Sequence, residues 1–107
     1  MADFAKAKAT LEAQLSELEG RLATIERDLA EPMDADSSER AVQMEDDESL
    51  EGQAAIASRR ITATQRALLR IEDGSYGECL ECGAEISAGR LEARPESVLC
   101  IACKSAA

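Results

Sequence analysis

At 107 residues the chain is one domain, or one small domain with an extension, and its 22 acidic against 12 basic side chains give a formal charge of −10. That balance argues against a duplex nucleic-acid binder, whose affinity depends on cations neutralising phosphates, and suits a protein that enters basic surroundings. Aromatic residues are 2% of the chain, Phe4 and Tyr76 alone, so Ala, Leu and Ile at helical spacing must supply the packing. The first residues hold no apolar core of a signal peptide, and no stretch approaches the ~20 apolar residues a membrane span needs. The expected setting is the cytoplasm.

From Asp3 to about Glu31 the apolar residues fall on a heptad. Phe4, Leu11, Leu18 and Ile25 form one row, and Leu15, Leu22 and Leu29 form the other. Lys8 interrupts the seam near its free end, where an aliphatic stem can lie along apolar surface. Asp3 is the expected N-cap, and Pro32 stops the helix because its predecessor is barred from comfortable α geometry.

Residues 31–51 change character: nine acids and one base, Arg40, put −8 of the total −10 here. Asp36-Ser37-Ser38-Glu39 has the form of a capping box, which starts a second helix near Ser37. A weaker heptad runs from there to about Glu72, with Leu50, Ala57, Thr64 and Ile71 in one row and Ala54, Ile61 and Leu68 in the other. Two such helices joined by a short turn predict an antiparallel hairpin with the acidic stretch at its tip. Gly74 is the expected C′ residue of the second helix.

All four cysteines lie beyond it, as Cys79-x2-Cys82 and Cys100-x2-Cys103 with 17 residues between the pairs. Each pair can put two thiolates on one side of a tight knuckle, and Gly83 supplies positive-φ freedom after the first. Two facing knuckles make a tetrahedral four-sulfur cage, and with no histidine in the chain all ligands would be sulfur. Two disulfides, a redox C-x-x-C and an iron–sulfur cluster compete with this reading. A reducing cytosol disfavours the first, the second leaves one pair unexplained, and the spacing fits zinc better than the third. One structural zinc is therefore expected, with no open position for substrate or water. Ile86, Leu91, Val98 and Leu99 are the candidates for a small apolar cluster around it. The fold expected is mainly α: a coiled-coil hairpin over 1–73 and a four-cysteine finger over 74–107.

Glu72-Asp73-Gly74-Ser75-Tyr76-Gly77, the cysteine spacing, Gly89-Arg90-Leu91-Glu92-Ala93-Arg94-Pro95 and Leu99-Cys100-Ile101-Ala102-Cys103-Lys104 together resemble the zinc-finger signature of the DksA/TraR family of bacterial transcription regulators. The likeness reaches back to the hairpin tip, over roughly residues 30 to 105. It implies a protein that binds RNA polymerase rather than DNA, with the coiled coil inserted in the secondary channel. It also implies an acidic tip that alters initiation, commonly together with guanosine tetraphosphate (ppGpp). The family's D-x-x-D-x-A tip pattern matches Asp36, Glu39 and Ala41, with Glu where the family has Asp. Arg94 and Lys104 match positions used around ppGpp, whereas Ala63 stands where a lysine is expected. Set against the longer members, the N-terminal extension and the long C-terminal helix are not expected here, and the likeness is to the shorter ones.

The expected function is thus a monomeric, non-enzymatic transcription regulator. The alternative is a zinc-stabilised coiled-coil adaptor whose seam pairs between chains and whose acidic segment is solvated linker.

Overall fold

A computed structural model describes residues 4–30 and 37–106, the side chains of 37–47 and 106 excepted. It contains four helices: α1 (Ala5–Leu29), α2 (Ser37–Asp73), α3 (Ala88–Ala93) and α4 (Ile101–Ala106). Among the described residues there is no strand, only one isolated antiparallel bridge between Glu78 and Glu85. The two long helices make the hairpin. The two short ones belong to the finger.

α1 and α2 run antiparallel, since Leu11 packs with Ala67, Gln14 reaches Thr64, and Leu18 shares a groove with Ala57. The heptad rows are not equivalent. Leu11, Leu18 and Ile25 are buried, whereas Leu15, Leu22 and Leu29 are only half-buried, because a single partner helix covers one flank of the seam. Among the described side chains of α2 the buried ones are Ala57, Thr64 and Ala67. These small side chains let the Leu and Ile row of α1 sit close to the α2 backbone. Ala67 belongs to neither predicted row, and Ala7 rather than the exposed Lys8 continues the seam toward the finger.

The start of α1 differs from the expected one. Phe4 occupies the N-cap position without a side-chain cap, its carbonyl accepting the Lys8 N–H at 2.8 Å. Asp3, the expected cap, lies outside the described residues, as do Pro32 and Asp36 of the predicted turn and capping box. Phe4 is placed there by its ring, which meets Tyr76 edge-on with centroids 5.0 Å apart. The two aromatic residues, expected to contribute little, meet at the joint of hairpin and finger and pack with Leu11, Ala67 and Leu91. Leu91 therefore faces the hairpin rather than the cysteine cluster. Of the predicted metal-side cluster only Ile86 is buried.

α2 has 37 residues against 25 in α1. Both helices are registered at the finger end, so the surplus falls at the opposite end, toward residues 37–48. At 1.5 Å per residue α2 is about 55 Å long, and the whole molecule measures 61 × 30 × 19 Å.

Candidate metal centre and finger pocket

α2 ends in a Schellman arrangement. Gly74 takes φ +84°, and the Ser75 N–H donates to the Arg70 carbonyl at 2.9 Å. Asp73 accepts from both the hydroxyl and the N–H of Ser75, which with nearby Arg70 holds its carboxyl below the usual range. The Arg70 guanidinium continues past the helix end, donating to the carbonyls of Ser75 (2.8 Å) and Glu78. The segment leading to Cys79 is thereby tied to the helix it leaves. Within the first knuckle the Cys79 N–H donates to Ala84 O (2.8 Å) and the Gly83 N–H to Cys79 O (3.0 Å), a turn closed by Gly83 at φ +74°. The Leu80 N–H donates to Val98 O at 2.9 Å, which sets the first knuckle against the approach to the second.

The result brings Cys79, Cys82, Cys100 and Cys103 together, their sulfurs all within 4.8 Å of one another. Tetrahedral coordination at a Zn–S length of ~2.3 Å requires sulfur–sulfur edges of about 3.8 Å. Cys82 and Cys100 stand 3.8 Å apart. All four are free thiols, so no disulfide competes for them. The Cys79 sulfur accepts from backbone N–H groups, those of Cys82 and Cys100 foremost, which lowers its pKa to about 6. Cys103 is pushed up instead by its contacts with the sulfurs of Cys79, Cys100 and Cys82. A cage that stabilises one thiolate and crowds the next is suited to a divalent cation, which replaces the protons and balances the charge. The donor set fits one structural Zn²⁺. Held by four sulfur ligands, the ion would supply cohesion to the finger.

The other predicted residues divide by position. Arg94 and Lys104 line one open pocket of about 450 Å³ together with Arg90 and Glu96. Arg90 is fixed there by donating from Nε to Leu99 O at 2.9 Å. Glu39 and Ala41 lie in the first turns of α2 with side chains outside the described residues, and Asp36 lies outside them altogether. Glu96 is the residue that sequence reasoning missed. It accepts from Gln14 (3.2 Å) and stands 4.0 Å from Arg60, joining finger to both long helices. Nothing in its local sequence signals this, because both partners are remote in the chain.

Two family models match, one described as DnaK suppressor protein-like, N-terminal domain, over residues 7–71, the other as the prokaryotic dksA/traR C4-type zinc finger over 74–107. The chain belongs to the DksA/TraR family. Among DksA relatives, the RNA polymerase-binding transcription factor DksA of Escherichia coli K12 is 42% identical over 73 residues, covering 67% of this chain and 48% of its own length. The DksA of Caulobacter vibrioides is 43% identical over 68 residues, covering 63% and 47%. The chain thus spans about half the length of the curated DksA relatives it matches. Transcription factor DksA2 from Pseudomonas aeruginosa superposes with a TM-score of 0.81 at 29% identity, over 94% of this chain and 78% of that one. The DnaK suppressor protein from Agrobacterium tumefaciens C58 gives 0.69 at 33% identity, over 100% and 96%.

Proposed function

We propose that the chain binds RNA polymerase and modulates transcription initiation, without catalysing a reaction. The observation that carries this is the hairpin-plus-finger architecture shared with DksA2, combined with 42% identity to a relative named an RNA polymerase-binding transcription factor. In this reading residues 1–73 are a rod that delivers the acidic tip into the secondary channel, and 74–107 are the mount that docks outside it. Asp36, Glu39 and Ala41 act near the polymerase active site, and Arg94 and Lys104 contact ppGpp at the interface. A rod with −8 concentrated in residues 31–51 is drawn and oriented by a channel of opposite potential. The protein acts as a cytoplasmic monomer. The adaptor alternative needs a seam open to a second chain, whereas Leu11, Leu18 and Ile25 are buried within this one.

The test is binding of the zinc-loaded protein to core RNA polymerase, wild type beside Asp36→Asn/Glu39→Gln, with transcription from a ribosomal promoter measured in parallel. Both proteins are expected to bind and only the wild type to change transcription. No binding at micromolar concentration would leave a family scaffold without this partner.

A further inference from the structure

Between the hairpin and the basic pocket of the finger stands one carboxylate, Glu96. It lies in a tight turn closed by the Ser97 N–H donating to Arg94 O at 3.0 Å, and the buried Tyr76 hydroxyl pins that turn by donating to Pro95 O at 2.8 Å. The Glu96 side chain is 12% exposed. On the hairpin side Gln14 donates to it while also donating to the fully buried Thr64 at 2.9 Å, and Arg60 flanks it. On the finger side it shares the pocket wall with Arg90, Arg94 and Lys104. The residue whose carboxylate closes a polar network across α1, α2 and the finger is thus also the one acidic residue lining a pocket with three cationic ones. Its field reaches the joint too, since it assists burial in raising the pKa of Tyr76.

We propose that Glu96 is the counter-charge that sets the anion affinity of this pocket, and that it couples filling of the pocket to the attachment of the finger on the hairpin. The inference rests on the reading of Arg94 and Lys104 as phosphate contacts. A phosphate-bearing ligand gains from the three cations and is opposed by Glu96. The carboxylate cannot turn away without giving up Gln14 and Arg60, so a filled pocket weakens the contacts that hold the finger. By linkage, loosening those contacts strengthens the anion site by the same factor.

The test uses the zinc-loaded full chain and inorganic pyrophosphate as probe, with affinity measured by calorimetry and the Gln14 side-chain amide followed by NMR. Glu96→Gln keeps an acceptor for Gln14 while removing the charge. It should bind pyrophosphate about three- to tenfold more tightly at low salt, a gap that narrows toward ~0.5 M salt. Arg94→Ala should lose binding, and the wild-type Gln14 amide should shift on saturation. Equal affinities of wild type and Glu96→Gln, or a Gln14 resonance that ignores bound pyrophosphate, would overturn the counter-charge while leaving the pocket as a phosphate site. Binding by neither protein, or binding that survives Arg94→Ala, would overturn the pocket of the free chain as a phosphate site and this inference with it, while contacts made only at the polymerase interface stand on the binding test above.

Discussion

Thr64 is the clearest case of one residue whose weight depends on its surroundings. In the heptad row it looks like a small, indifferent seam residue. In the fold it is fully buried, its hydroxyl donating to Arg60 O at 2.7 Å and accepting from Gln14 at 2.9 Å. The Arg60 carbonyl is already served by the helix ladder, so the part of the bond network at risk is the Gln14 amide. Thr64→Val keeps the shape and leaves that amide with Glu96 alone. It should destabilise the hairpin by about 1–2 kcal/mol, the usual cost of a buried donor losing a partner, read as a lowered Tm.

At the scale of elements, the end of α2 decides how the finger is presented. Gly74 at φ +84° has no heavy atom within 4 Å of where a Cβ would stand, so a substitution there meets backbone strain and nothing else. Gly74→Ala should therefore cost about 1 kcal/mol without a packing penalty, measured by thermal or urea unfolding. A larger loss would mean that the turn also shifts Arg70, whose guanidinium ties the helix end to Ser75 and Glu78. The heptad spacing made both long helices legible, and the cysteine spacing made the finger legible. The unequal burial of the two rows was not, because a heptad marks which residues face a partner but not how many partners there are.

For the whole molecule, zinc and the aromatic joint are linked. Tyr76 packs on Phe4 and Leu11 and donates to Pro95, while two residues on, Glu78 enters the knuckle. Tyr76 is the only tyrosine and there is no tryptophan, so its spectrum reports this joint alone. Stripping zinc with a chelator at neutral pH should change the Tyr76 near-UV signal strongly and far-UV helicity little, since α1 and α2 are held by their own seam. Acid should do the same. The folded pKa of Cys79, about 6, lies below its ordinary 9.0, so the stability it contributes is present above that ordinary value and is lost as pH falls through about 6. Cys103 is shifted the other way in the metal-free cage and there opposes that gain; with the ion held, all four sulfurs would be thiolates and acid would compete with the metal at each of them. Zinc release into a colorimetric chelator, followed as pH is lowered through that window, checks the sign.

The sequence by itself determined the architecture: two amphipathic helices by period and a four-sulfur site by spacing. These are local signals, written in neighbouring residues, and each survives without knowledge of the rest. Only the tertiary structure decided what meets across the chain. It moved Leu91 from the metal to the joint, gave Phe4 the place expected for a helix cap, and set Glu96 between Gln14, Arg60 and the pocket of Arg90, Arg94 and Lys104. Gln14 and Glu96 stand 82 residues apart. No periodicity joins positions that distant; their contact exists because the Schellman turn at Gly74 folds the finger back on the hairpin base, and the charge network follows from that return.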